Sequence, residues 1–147
     1  MSQEWRHDGY TVSTNPARLD LEVVHGFLAA SYWAEGIPRD TVERSIAHSI
    51  VFGLYSPDGA QVGFARVASD RATVAYLGDV FVLEAHRGRG LAKWLMACVH
   101  AHPELQGLRR WILLTRDAHA LYRQHGWTPL AKPDRWMERW DPDVYRR

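Results

Sequence analysis

Apolar positions along the chain alternate between two spacings, and the spacing changes where glycine or proline intervenes. Behind Asp20, Leu21, Val24, Phe27, Leu28 and Ser31 recur at helical spacing. This predicts an amphipathic helix to about Tyr32, with Asp20 as its N-cap. Residues 32–38 break that pattern, and Pro38 opens a second helix with Val42, Ser45 and Ile46 inward. Residues 1–9 are polar and predicted loose, while Tyr10–Ser13 alternates weakly as a first strand. Ile50–Tyr55, Gln61–Ala68 and Thr73–Val82 read as strands. Ser56-Pro57-Asp58-Gly59 is a turn between the first two, because proline presets φ and glycine accepts the left-handed position. These strands form a meander, which predicts antiparallel pairing.

Leu91, Trp94, Leu95 and Cys98 return to helical spacing up to about Ala101, where His102-Pro103 ends the helix. The apolar run Arg110–Thr115 follows this crossover, so it should lie parallel to Thr73–Val82. Asp117–His125 reads as a short helix, capped by Asp117 and ended by Gly126. Trp127–Leu130 and Arg135–Trp140 read as two closing strands. The order βααβββαβαββ describes an α/β chain with a mixed, mostly antiparallel sheet flanked by helices, one domain over residues 1–147.

Composition narrows this picture in three ways. The formal net charge of +1 gives no general attraction for nucleic acid or an anionic membrane, so any phosphate binding must be local. Cys98 is the only cysteine and falls on an apolar helix face, which points to an inert core residue and excludes an intrachain disulfide. No run of 18 apolar residues and no leader pattern is present, which leads to the expectation of a cytoplasmic protein. The eight histidines do not cluster at ligand spacing, so no metal is expected.

One stretch carries a chemical signal. Asp79–Leu83 is a short apolar strand, Glu84–His86 turns the chain, and Arg87-Gly88-Arg89-Gly90 opens the helix beginning at Leu91 and Ala92. A strand passing through a glycine turn into a helix gathers unpaired amides and the positive dipole end at one point. Gly88 and Gly90 remove side chains that would bar a diphosphate, and Arg87 and Arg89 add charge. Plain structural punctuation is the competing reading. A P-loop would need Gly-Lys-Ser/Thr where Gly-Leu-Ala stands, and a dinucleotide fold would place its glycine turn early in the chain.

Arg87-Gly88-Arg89-Gly90-Leu91-Ala92 resembles the acyl-CoA signature of the GCN5-related N-acetyltransferases, Arg-x-x-Gly-x-Gly/Ala. About 30 residues on, the run from Ala118 through Leu121-Tyr122 to Gly126-Trp127 resembles that family's later motif, Ala-x-x-Leu-Tyr-x-x-x-Gly-Phe. The resemblance implies the acyl-CoA N-acyltransferase fold. It also implies acetyl-CoA as co-substrate and transfer of the acetyl group to a primary amine of a small molecule, or to a protein amine, by direct attack on the thioester. A homodimer would be in keeping with the family.

By the same resemblance, the backbone of Val80 and Val82 pairs with the pantetheine arm, and an amide near Val80 or Phe81 faces the thioester carbonyl. Residues Arg87 to Ala92 hold the diphosphate, and Tyr122 protonates the departing thiolate. Thr115 stands where the family has asparagine, which changes the cofactor contact expected there. Asp79 is the one carboxylate on its strand and the candidate base or amine anchor, with a bond to bulge amides as its alternative reading. Tyr32, Trp33, Glu35 and Tyr76 are candidates for the acceptor pocket, where aromatic faces beside a carboxylate suit a cationic amine; Arg39 could instead grip a carboxylate. The rival function is a non-catalytic acyl-CoA-binding sensor of the same fold.

Overall fold

The computed structural model describes residues 1–147. A six-stranded sheet in the order β1 to β6 forms the centre: β1 Glu4–His7, β2 Tyr10–Ser13, β3 Ile50–Tyr55, β4 Gln61–Ser69, β5 Val74–Val82 and β6 Arg110–Leu113. Neighbours are antiparallel from β1 through β5, and β6 alone lies parallel, beside β5. The helices are α1 Leu21–Ala30, α2 Arg39–Ala47, α3 Leu91–Ala101 and α4 His119–Arg123.

Most elements fall where the apolar periodicity put them, and the caps explain several boundaries. Asp20 Oδ1 accepts from the amides of Glu22 and Val23 and starts α1. The β3–β4 turn is held by the Gly59 amide donating to the Ser56 carbonyl, with Gly59 at φ +90°.

The sheet has two apolar faces. Leu91, Leu95, Met96, Cys98 and Val99 of α3 pack on one, against Val12, Phe52, Leu54, Val67 and Leu77. Val24 and Leu28 of α1, Ile37, and Val42 of α2 pack on the other, against Val51, Phe64 and Phe81. Cys98 is buried, and its thiol is pushed up to about 12 by burial, as befits an inert core residue.

Three expectations need correction. Residues 4–7 are not loose; they form β1, joined to β2 by Asp8-Gly9, both left-handed at φ +51° and +82°. Such a two-residue turn matches the twist of paired strands, and Trp5 stacks on Phe52 to hold the hairpin down. The two closing strands do not form. Residues 127–130 and 135–140 pair with nothing, so the order is ββααβββαβα and β6 keeps an open edge. Pro129 and Pro133 bracket a segment that would have to fold back on β6, and each fixes φ and removes a donor. Finally, α4 starts at His119, and the oxygen that accepts from the Ala118 amide belongs to Thr115, not Asp117.

Candidate active site

β5 and β6 are paired only from Val74↔Arg110 to Leu77↔Leu113. Beyond that point β6 ends while β5 continues to Val82, so residues 78–82 expose one backbone edge to a cleft. The Leu83 amide donates to the Val62 carbonyl on the β4 side. By strand alternation, Phe81 also addresses β4, whereas Val80 and Val82 address the cleft. The Phe81 side chain is in the core, its ring stacked on Phe27 at 4.1 Å between centroids, and the Val80 backbone is left facing the cleft while its side chain packs on the α3-side core. The Val82 carbonyl already accepts from Arg87 Nε at 2.9 Å, which folds Arg87 back against the strand end.

The strand is interrupted at Asp79. Phe64 pairs with Phe81 and Arg66 with Gly78, so Asp79 and Val80 together oppose Ala65 in a β-bulge. Asp79 takes φ +56° there, a conformation aspartate tolerates better than most residues. The bulge turns its carboxylate toward the α1–α2 side. Oδ1 accepts from Trp33 Nε1 at 3.0 Å and Oδ2 from Arg66 Nε at 2.8 Å, and Arg66 in turn donates to Ser49 Oγ. Both oxygens are engaged and the side chain is 12% exposed. Tyr76 lies over Gly78, where a Cβ would meet its ring at 3.0 Å. Burial, then the nearby Asp79 charge, raises the Tyr76 phenol above its ordinary value.

At the far end of β5 a notch of about 390 Å³ is lined by Val82, His86, Arg87, Gly88, Gly90, Leu91, Ala92, Lys93, Leu121 and Gln124. Gly88 and Gly90 have φ +80° and +74°, and a Cβ on either would meet no protein atom within 4 Å. Gly90 caps α3 with no side-chain bond, and the first amide of the helix with a backbone acceptor is that of Trp94. The amides of Gly88 through Lys93 therefore have no main-chain acceptor in the chain. The turn is pinned from behind by Tyr10 Oη and His86 Nδ1, 2.9 Å apart.

Tyr122 comes from α4, whose Leu121 lines the notch. It is buried and packs 5.9 Å from Trp127 between ring centroids. Burial, with a smaller contribution from Tyr32, pushes its phenol up to about 12. Tyr32 reaches across the cleft mouth: its hydroxyl accepts from the Arg116 amide, and the Arg116 guanidinium lies 3.8 Å above its ring. The loop after α1 is thereby tied to the loop after β6. Trp33 packs edge-on against Tyr32 at 5.2 Å.

Not every candidate joins this group. Glu35 is exposed and bonded to nothing, and Arg39 is engaged by Glu22 and Glu43. The Thr115 hydroxyl shapes the loop into α4 rather than standing free. Arg66, Ser49 and Arg116 went unread in the sequence. A signal existed for Arg66, a charge within the apolar run Val62–Ala68. Nothing marked Arg116. No group of three or more His, Cys, Asp or Glu side chains is close enough to hold a metal ion.

Comparison with known proteins agrees with this geometry. The family model described as an acetyltransferase (GNAT) domain matches residues 47–129. A candidate acetyltransferase of Gibberella zeae is 32% identical over 142 residues, which span 82% of this chain and 79% of that protein. A crystal structure from Xanthomonas campestris pv. campestris, described as a candidate acetyltransferase of the GNAT family, is 52% identical. It superposes with a TM-score of 0.91 over 97% of this chain and 99% of its own. A GNAT acetyltransferase from Elizabethkingia anophelis, solved with acetyl-CoA bound, shares the fold alone: 12% identity and a TM-score of 0.65 over 92% and 90% of the chains. The chain belongs to the GNAT acetyltransferase family, with a mixed α/β fold of that type.

Proposed function

We propose that this protein transfers an acetyl group from acetyl-CoA to a primary amine, by direct attack of the amine on the thioester. One observation carries the reading. The amides of Gly88–Lys93, which have no main-chain acceptor, follow directly on the β5 edge that β6 leaves free, and the notch they line also takes in Leu121, the neighbour of Tyr122 on α4. The notch fits a diphosphate because its donors are main-chain groups at the positive end of an eleven-residue helix, with Lys93 in its lining. The Val80 edge fits a pantetheine arm, which can pair with it as an added strand. Acetyl-CoA, once bound, supplies the activated carbonyl.

The remaining work falls to side chains. A phenol held near 12 keeps its proton throughout the neutral range, so the Tyr122 donor form is always present when the thiolate departs. Asp79 has both oxygens engaged by Trp33 and Arg66, so it positions the acceptor wall rather than taking the proton. The amine then arrives neutral, and its surplus proton leaves to water. Tyr32, Trp33 and Tyr76 present aromatic surface to a small amine at that wall.

Release of free CoA measured over a panel of small amines and amine-bearing peptides tests the proposal. Turnover with at least one of them supports transfer. Saturable CoA binding without turnover on any would support a sensor instead.

A further inference from the structure

The split between β5 and β6 is covered differently on its two faces. On one, Leu91 and Leu95 of α3 and Tyr122 of α4 belong to a single apolar cluster, and the Val80 and Leu121 side chains pack against it. On the other, the cluster under α1 and α2 takes in β3, β4 and Phe81 but no residue of β6. A chain of side-chain contacts spans the gap instead. Trp33 Nε1 donates to Asp79 Oδ1 in the β5 bulge at 3.0 Å, and the Trp33 ring meets Tyr32 edge-on at 5.2 Å. The Tyr32 hydroxyl accepts from the Arg116 amide at 3.2 Å, and the Arg116 guanidinium lies 3.8 Å above the Tyr32 ring. Asp79 stands on β5 just past its last pair with β6, and Arg116 just past the end of β6. The contacts therefore run from one lip of the split to the other.

The two halves of this clasp differ in firmness. The root of the loop after α1 is fixed, because Ala34 and Ile37 are buried and the Gly36 amide donates to the Ala29 carbonyl. The Ser31 hydroxyl also accepts from the Ala34 amide. Tyr32 and Trp33 project from that root and are 50% and 41% exposed. Arg116 is held more loosely. Its contact with Asp117 is 3.8 Å long between two exposed groups, and a cation–π contact in water is weak. The clasp can therefore open, yet it recloses only over a ligand that fits beneath it.

We infer, on the transfer reading above, that the Tyr32–Arg116 clasp admits an amine borne by a compact free molecule and excludes one carried on a polypeptide. A compact amine reaches the Val80 edge from the α1–α2 face with the clasp shut. A polypeptide continuing on both sides of its amine-bearing residue has to displace Tyr32 or Arg116. The two side chains set specificity through the width of the opening, not through contact with the reacting atoms.

Two probes test this: the fastest small amine of the panel, and the same amine tethered to a Gly-Ser peptide at the end away from its nitrogen. Wild type should prefer the free amine by at least about tenfold in kcat/KM. Arg116→Ala and Tyr32→Ala should narrow that preference to within about twofold, through a lower KM for the tethered amine. Arg116→Lys returns a cation to the ring and should restore much of it. Arg116 is exposed, so its variants are the ones least able to disturb folding. Hydrogen exchange needs no turnover: the Arg116 amide should exchange slowly in wild type and faster in Tyr32→Phe, which lacks the accepting oxygen. Equal kcat/KM for the two probes in wild type would overturn the inference and leave transfer standing, as would a peptide as the fastest acceptor of the panel. So would a preference unchanged in both alanine variants, or an Arg116 amide indifferent to Tyr32→Phe. No turnover with any amine removes the transfer reading itself, and the size limit goes with it.

Discussion

The two ends of the β5 cleft are built by opposite means. The notch at Gly88–Lys93 is assembled from consecutive residues, and its donors are main-chain amides that any sequence with glycine in two left-handed positions could present. The proposed acceptor wall draws one side chain each from distant segments: Trp33 from the loop after α1, Arg66 from β4, Asp79 from the β5 bulge and Arg116 from the loop after β6. A local, backbone-made site suits a ligand part that never varies, whereas a wall of long-range side-chain contacts would be free to change with the acceptor proposed above. Substitutions should therefore separate cleanly, with changes at the notch weakening coenzyme and changes at the wall altering the acceptor.

Loss of the Tyr122 hydroxyl should give the largest effect. Tyr122→Phe removes only the hydroxyl oxygen and keeps the ring that packs on Trp127. We expect kcat to fall by about 10²- to 10³-fold with CoA affinity unchanged, measured by CoA release and by calorimetry. Unchanged kcat would assign the hydroxyl no part in the reaction.

Gly90→Val attacks the notch. A β-branched residue at φ +74° is strained by roughly 1–3 kcal/mol, and its side chain enters the space the diphosphate would use. CoA affinity should weaken by about a hundredfold while the small-amine preference among residual products stays the same. A shifted preference would mean that the two ends are not separable.

Asp79→Asn attacks the wall. Asparagine can still accept from Trp33, but Arg66 loses its charged partner and meets an amide donor, so the bulge loses its ionic anchor. The acceptor KM should rise about tenfold with CoA affinity kept. If the amine arrives neutral, log kcat/KM climbs with pH toward the amine's own pKa, and Asp79→Asn leaves that slope in place. An acid limb present in wild type and abolished in the variant would instead make Asp79 the base.

The contrast between local and distant construction also decides what could be read from the chain. β3, α3 and the parallel placement of β6 follow from apolar spacing and crossover rules, and the notch follows from contiguous residues. The Asp79 anchor was legible only as a question, because a carboxylate on an apolar strand needs a partner and the partner lies 13 residues away on β4. Arg116 over Tyr32 spans 84 residues and left no local mark. The missed β1 hairpin had a readable Asp8-Gly9 turn, but its strand has only Trp5 to bury and so shows little periodicity. The closing segment failed for another reason. Its spacing is strand-like, yet strand formation needs a paired edge, and within one chain two prolines withhold it.

The smallest effect expected concerns the anchor of that segment. His100 is half-buried beside His125 and Trp111, and its Nε2 accepts from Trp127 Nε1. Burial, then repulsion from His125, lowers its pKa below the ordinary histidine value. A group with a lowered histidine pKa binds fewer protons folded than unfolded in that window. Its stabilisation is present above about pH 6.5 and is lost as pH falls below it. Protonation also turns Nε2 into a donor facing a donor, so the Trp127 bond breaks. The melting temperature should drop by a few degrees between pH 7.5 and 5.5, with a parallel change in tryptophan fluorescence. In His100→Gln an amide oxygen can replace the acceptor without titrating, so both changes should shrink. His102, buried nearby with its pKa also lowered, contributes in the same direction, and the part that survives in His100→Gln measures it.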